Sequence, residues 1–279
     1  MLFAEAQGEK VLKEGRAAMK KAVCVGIDDY PAEEMDLAGC VNDARAWVDI
    51  LTRMFGFGRA DVRLILNGEA TRRNMLAALD SLIAGAGRGD VCAFIYSGHG
   101  TWVPDKSPLD EAEGRDEALV PCEADFDRLI IDDDLRERLN LLSTATSFTF
   151  IADSCYSGTV TRLAPGPVKK LRFYPPPWEG EPRPPLRKRL VGFSEMEMGE
   201  IFLGAAADDE PAAEGEFKGV RRGAFSYFAV RALEEAGPDI IYEEWLSRIR
   251  RSLGAAGFTQ TPQLEGRPEN KKRKIFTSF

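Results

Sequence analysis

Histidine is almost absent from this chain: His99 is the only one in 279 residues. Any chemistry that needs an imidazole must use that residue. Cysteine is scarce as well. There are five, an odd number with no Cys-x-x-Cys spacing, which argues against a disulfide framework or a structural zinc site and fits a reduced, cytoplasmic setting. No apolar run approaches the roughly 20 residues needed to span a bilayer. The first 20 residues mix charges throughout and lack the apolar segment of a signal peptide. An excess of positive charge is also missing: 37 Lys and Arg stand against 45 Asp and Glu, a net charge of −8. General affinity for nucleic acid or an anionic membrane is therefore not expected. No glycine-rich phosphate loop follows the first apolar run, so a nucleotide-binding reading is weak and no organic cofactor is expected.

What is present is an ordinary soluble composition, 44% hydrophobic and 29% charged, in a chain long enough to bury a sizeable core. Short apolar runs at Ala22 to Ile27 and Val91 to Tyr96 predict strands of the buried type, and Val62 to Leu66 predicts another strand. Between them, Val41, Ala44, Trp47, Val48, Leu51 and Met54 recur at helical spacing, which predicts a helix from about Cys40 to Phe55. Thr71 is a candidate N-cap for a second helix carrying Met75, Leu76, Leu79, Leu82 and Ile83. This alternation is the pattern of an α/β domain with a mostly parallel sheet of about six or more strands and helices on both faces.

Residues 101 to 131 break the alternation, and Asp105 to Glu137 holds thirteen acidic and four basic residues. A helix follows from about Asp133 to Leu142, then a strand over Phe148 to Ala152. Residues 161 to 190 hold eight of the sixteen prolines and eight Lys or Arg against two Glu, which predicts an exposed, extended linker. Beyond it come a strand (Glu200 to Ala206), two helices (Gly223 to Ala236 and Ile241 to Leu253) and a short strand at Pro262 to Leu264. The predicted organisation is a lead-in (1–20), a larger part (21–160), a basic linker (161–195) and a smaller part (196–279), with 21–279 forming one domain.

Two apolar strands end in reactive side chains flanked by glycine: Tyr96-Ser97-Gly98-His99-Gly100 and, 56 residues after the histidine, Asp153-Ser154-Cys155-Tyr156-Ser157-Gly158. Cys24 and Cys92 lie inside apolar strands and read as small buried hydrophobes. Cys155 instead follows its strand, where crevices form at the carboxyl edge of a parallel sheet. A helix N-terminus and an imidazolium would there stabilise its thiolate. A lone histidine is more often a structural hydrogen-bonder, yet the position of His99 mirrors that of Cys155, and a Cys-His dyad is the expectation.

These segments, with Val-Gly-Ile-Asp-Asp-Tyr (25–30), Leu-Ala-Gly-Cys-Val-Asn-Asp-Ala (37–44), Asp-Glu-Ala-Leu-Val-Pro (116–121), Ile-Asp-Asp-Asp-Leu (131–135), Arg-Gly-Ala-Phe-Ser-Tyr (222–227) and Gln-Thr-Pro-Gln-Leu (260–264), resemble a prokaryotic metacaspase, or orthocaspase, over about residues 20 to 265. True caspases carry Gln-Ala-Cys around the nucleophile, where this chain has Asp-Ser-Cys. The resemblance implies a caspase-like fold and a cysteine endopeptidase with His99 and Cys155 as catalytic residues. It implies oxyanion binding by the backbone N–H groups of Gly100 and Cys155, and a monomer. It also implies an acidic pocket lined by Cys40, Asp43, Ser97 and Asp153, hence protein or peptide substrates cut after Arg or Lys, since buried carboxylates are costly unless a cation enters between them. By itself, Asp43 reads equally well as a helix-surface charge.

The acidic cluster has the oxygen chemistry of a calcium site without the spacing of an EF-hand, and the resemblance puts calcium ligands at Asp116, Asp132 and Asp133; the plain alternative is a solvated acidic loop. In the linker, Arg162, Lys169, Lys170, Arg172, Arg183, Arg187, Lys188 and Arg189 are candidate sites of autoprocessing by such an enzyme. The same basic segment could instead lie in the acidic pocket as an inhibitor. A catalytically silent adaptor of the same fold is the main alternative function, with an acyltransferase or amidase behind it.

Overall fold

The computed structural model describes residues 18–104, 115–156, 168–178, 195–196, 198–207 and 210–278. A six-stranded sheet forms its centre. It contains β1 (Lys20–Gly26), β2 (Val62–Leu66), β3 (Val91–Ser97), β7 (Ser147–Asp153), β9 (Ile201–Gly204) and β12 (Gln263–Glu265), in the order β12-β9-β7-β3-β1-β2. All neighbours are parallel except the β12–β9 pair at one edge.

The sheet is buried on both faces because its strands alternate between two cores. Val91, Ala93 and Ile95 of β3 face one core, while Cys92, Phe94 and Tyr96 face the other. The first core is covered by α1 (Cys40–Met54), α4 (Ala224–Ala236) and α5 (Tyr242–Ala255), with Trp47 and Trp245 packed edge to face between them. The second is covered by α2 (Arg72–Gly85), whose cap Thr71 accepts from the Asn74 N–H at 3.2 Å, and by α3 (Asp132–Leu139). A one-turn α6 (Pro268–Lys271) follows β12. The expected α/β architecture with a mostly parallel sheet is therefore the observed one.

Two small sheets fill the places where the alternation failed. One is β4 (Gly100–Pro104), β5 (Arg115–Leu119) and β6 (Ile130–Ile131), antiparallel throughout. It begins at the residue after His99, so the interruption after residue 101 is a folded platform beside the sheet edge. The other is β8 (Lys170–Leu171), β10 (Ala213–Phe217) and β11 (Val220–Gly223), also antiparallel.

The strand β8 corrects the linker expectation. Residues 168–178 are extended as predicted, but they are not an exposed tether: Arg172 and Phe173 are buried. The physical reason is that Leu171 pairs with Ala213 and Lys170 with Glu214, so this part of the linker adds a strand to the β10–β11 hairpin. The remaining linker candidates Arg162, Arg183, Arg187, Lys188 and Arg189 lie outside the described residues. Most of the predicted lead-in also lies outside them. No helix among the described residues is long and apolar enough to cross a membrane.

Candidate active site

Strand register brings the two reactive ends together. In the β3–β7 pair Ser97 lies opposite Asp153, and in the β1–β3 pair Gly26 lies opposite Ser97. His99 and Cys155 each follow two residues beyond those partners, so both leave the carboxyl edge of the sheet from adjacent parallel strands. This is the edge at which α/β sheets open their crevices.

His99 is held on all sides. Its N–H donates to the Tyr30 hydroxyl at 2.9 Å, and its carbonyl accepts from the Tyr96 hydroxyl at 2.6 Å. Its ring lies 4.7 Å from that of Tyr30. Nε2 lies 2.6 Å from the carbonyl oxygen of Met35, in the short 3-10 turn Glu33–Met35. A carbonyl only accepts, so Nε2 carries the proton and Nδ1 keeps its lone pair. Nδ1 has no hydrogen-bond partner among the described residues. Burial lowers the imidazole to about 4, against the Met35 carbonyl, which favours the charged ring.

Cys155 lies in coil, and the residues after Tyr156, where the expected helix would run, lie outside the described residues. Its thiol is buried, and burial pushes it up to about 12 although the Arg172 guanidinium and backbone contacts act the other way. The thiolate is thus not stabilised in this state, because chain covers it.

The thiol donates to the Ala212 carbonyl at 3.7 Å, and the linker lies against the backbone beside it. The carbonyl oxygen of Arg172 accepts from the N–H of Gly100 at 2.9 Å and of Cys155 at 3.3 Å, the two groups predicted to hold an oxyanion. A side chain on Gly100 would collide with the carbonyl of Cys155, so only glycine brings the two N–H groups this close. The Arg172 N–H donates to the Ala212 carbonyl at 3.0 Å, and the next residue but one returns to Gly100, with the Tyr174 N–H donating to its carbonyl at 2.9 Å.

The side chain of Arg172 is 0% exposed and sits among carboxylates. Its Nη2 lies 2.6 Å from Asp43 and 3.2 Å from Glu214, and its Nη1 lies 2.9 Å from Asp153. Arg222 approaches the other oxygen of Asp43 at 2.5 Å. Burial lifts the Asp43 carboxyl to about 6, with the two guanidiniums opposing that shift. The Gly223 N–H donates to Asp43 at 2.8 Å, and the Ser226 N–H, in the first turn of α4, donates to Asp153 at 3.0 Å. A helix N-terminus therefore faces the pocket carboxylates. A Cβ at position 223 would run into Asp153 and Arg172, which explains the glycine of the Arg-Gly-Ala-Phe segment.

Of the predicted pocket residues, Asp43 and Asp153 contact the cation directly. Cys40 lies one step behind, its Sγ 3.7 Å from Glu214, and Ser97 is buried beside Asp153 in the strand register. Sequence reasoning missed Glu214, Arg222, Gly223 and the Met35 carbonyl. Glu214 has no distinguishing pattern in Ala-Glu-Gly-Glu-Phe and acquires its role only through the hairpin. Arg172 did carry a signal, being the linker cation set directly between apolar residues, Leu171 and Phe173.

The predicted calcium ligands are not drawn into one cluster of described atoms. Asp116 is buried in β5, and Asp132 and Asp133 open α3, which β6 places beside β5 through the Ala118–Ile131 pairing. The donor set is all carboxylate, the ligand chemistry of a hard cation, with Asp116 on the central strand of the platform sheet and Asp132 and Asp133 in the helix that follows its edge strand. Asp134, the next acid, is committed elsewhere, taking Arg72 through both oxygens at 2.8 and 2.7 Å. The described grouping with ligand atoms within 4.8 Å of one another is Asp28, Cys40 and Glu214. Asp28 there caps α1 through the Cys40 and Val41 N–H groups, and Glu214 takes Arg172, so this grouping is pocket wall.

Residues 20–164 match the family model described as metacaspase, peptidase C14 domain. Metacaspase-9 of Arabidopsis thaliana is 40% identical over 153 residues, covering 52% of this chain and 46% of the relative. Metacaspase-4 of the same plant is 38% identical over 144 residues, covering 50% and 34%. Metacaspase-3 of that plant is 29% identical over 246 residues, covering 85% and 66%. The chain thus spans between a third and a half of the length of the first two. The crystal structure of a Geobacter sulfurreducens protein shares the fold, with a TM-score of 0.69, 22% identity and coverage of 94% of this chain and 99% of that one.

Proposed function

The chain belongs to the metacaspase family of C14 peptidases, and from that premise we propose that it is a cysteine endopeptidase cutting after arginine or lysine, whose own first substrate is the Arg172–Phe173 bond. The observation that carries this reading is the double anchorage of Arg172. Its carbonyl oxygen lies between the Gly100 and Cys155 N–H groups while its guanidinium lies among Asp43, Asp153 and Glu214.

In this mechanism His99 Nδ1 takes the thiol proton of Cys155. The thiolate attacks the carbonyl carbon of the residue before the cut, and the two N–H groups receive the charge that develops on its oxygen. The proton on His99 passes to the leaving amine, and water then releases the acyl group from sulfur. The Met35 carbonyl keeps the imidazole in the required tautomer.

Specificity for a cation follows from charge balance. With Arg172 withdrawn, the ion pair left to Asp43, Asp153 and Glu214 among the described residues is that of Arg222 with Asp43, and an unpaired buried carboxylate is expensive. An incoming arginine restores the balance through charge-assisted hydrogen bonds. Uncut, the linker excludes other substrates. The pocket, linker and processing readings are thereby one reading.

Calcium belongs to the same proposal. Asp116, Asp132 and Asp133 would hold it on the platform sheet that begins at Gly100, and it would supply charge neutralisation that orders that platform beside His99.

The test is hydrolysis of an arginyl reporter peptide by the wild type and by Cys155→Ala. Cleavage by the first alone is expected. Cleavage by neither would favour the silent adaptor, and equal cleavage by both would remove Cys155 from the chemistry.

A further inference from the structure

We propose that the platform sheet carries an aromatic subsite on the leaving side of the cut, built on Trp102 and Phe126. It selects substrates with an aromatic residue two positions after the scissile bond and another beyond a proline spacer. The inference rests on the cut-site reading above and extends it across the bond.

After Arg172 the linker continues Phe173-Tyr174-Pro175-Pro176-Pro177-Trp178. Its backbone joins the free edge of β4, where Gly100 and Phe173 form a parallel bridge. The Gly100 N–H donates to the Arg172 carbonyl and the Tyr174 N–H to the Gly100 carbonyl, both at 2.9 Å. Beyond the bridge the rings interleave. Tyr174 lies 5.8 Å from the His99 ring, and Phe126 lies 5.8 Å from Tyr174 and 5.2 Å from Trp178. Trp178 in turn meets Trp102 edge to face at 6.1 Å. The rings thus make one row leading away from the imidazole, supplied alternately by the enzyme body and the linker.

The receiving rings are held without the linker. Trp102 is fixed in β4, opposite Glu117 of β5. Phe126 stands in the loop between β5 and β6, which is pinned by the Cys122 N–H donating to the Ala70 carbonyl at 3.0 Å and the Arg128 N–H to that of Asp125 at 2.8 Å. With the linker withdrawn, Trp102 loses the cover of Trp178, and Phe126 loses both linker rings. An apolar patch opened beside a reactive centre is a place for a ligand. The linker shows which ligand. Three prolines separate its rings, and proline fixes φ near −65° at each. Such a segment has little freedom left to lose on docking, so two rings at a set separation meet two rings at a set separation.

The test uses quenched peptides spanning residues 168–178 and a full-length Tyr174→Ala/Trp178→Ala enzyme, whose released segment does not compete for the subsite. Wild type is run beside it, both preincubated with calcium. One peptide keeps both rings, one has alanine for the tyrosine matching Tyr174, and one has alanine for the tryptophan matching Trp178. Loss of either ring is expected to lower kcat/KM about tenfold, and that gap should narrow to about threefold when Phe126→Ala is added to the enzyme. Equal kcat/KM for all three peptides overturns the inference, and their cleavage at arginine leaves the cut-site reading intact. A gap that stays tenfold with Phe126→Ala overturns the placement of the subsite on the platform. Failure of both enzymes to cut any of the peptides overturns the cut-site reading together with this inference.

Discussion

The backbone N–H of Cys155 points at the carbonyl oxygen of Arg172, 3.3 Å away. A main-chain carbonyl of the linker and the residue proposed as nucleophile are thus joined through the atom that peptide hydrolysis must polarise. On the proposed reading the linker occupies the chain's own substrate cleft, and the expectations below follow from that reading.

Asp153→Asn and Glu214→Gln each remove one charge from around the Arg172 guanidinium, with both positions fully buried. Truncating one member of a buried ion pair costs about 3–5 kcal/mol, so arginyl cleavage by Asp153→Asn is expected to fall by roughly two to four orders of magnitude in kcat/KM. Glu214, the more distant partner, is expected to give a smaller loss of the same kind. Alkylation of Cys155 by iodoacetamide should persist in both. Efficient arginyl cleavage by either variant would remove that residue from the pocket.

Thiol reactivity should report linker release. With Arg172 and Phe173 over the site, burial holds the Cys155 thiol near 12 and neutral at pH 7. Iodoacetamide is therefore expected to label the uncut chain slowly, and the Arg172→Gln variant, whose linker has lost its anchor, faster by at least tenfold. Equal rates would mean that the linker does not cover the thiol in solution.

Acid should loosen the same contact. His99 is lowered to about 4, while an exposed histidine takes its proton near 6.5. Between those values the undocked or unfolded chain binds a proton that the docked chain does not, so this contribution to stability falls as pH falls from 6.5 to 4. The raised Cys155 acts at the other end, with stability falling as pH rises above about 9. Thermal midpoints of the wild type and His99→Gln across pH 4–7 test the first limb. The wild type should lose more stability on acidification than the variant, and parallel curves would contradict it.

Much of this arrangement could be read from residues. The runs Ala22–Ile27 and Val91–Tyr96 stand out because parallel strands buried on both faces need continuous apolar sequence, while the edge strand Val62–Leu66 leaves Arg63 exposed. The spacing of Val41, Ala44, Trp47 and Val48 revealed α1 because one helix face is buried. The platform strand Arg115–Leu119 escaped because two of its buried residues are Arg115 and Asp116. The linker strand escaped for a related reason. Lys170 and Arg172 look like solvent-seeking cations, and only the fold gathers the carboxylates of positions 43, 153 and 214, far apart in sequence, that bury one of them. The Met35 carbonyl is backbone and leaves no trace in residue identity.

Calcium gives a simpler expectation. If Asp116, Asp132 and Asp133 hold the ion that orders the platform beside His99, arginyl cleavage should rise at least tenfold between excess chelator and millimolar calcium. Asp132→Asn should blunt that response. Equal activity in chelator and calcium would contradict the assignment.

Intact-mass analysis of the wild type, Cys155→Ala and Arg172→Gln after incubation with calcium tests the self-cleavage reading most directly. The expected result is a wild type split into two fragments, the first ending at Arg172 and the second beginning at Phe173, with Cys155→Ala intact and Arg172→Gln uncut at that bond. A wild type that stays whole, or that is cut only at other basic residues, would contradict it.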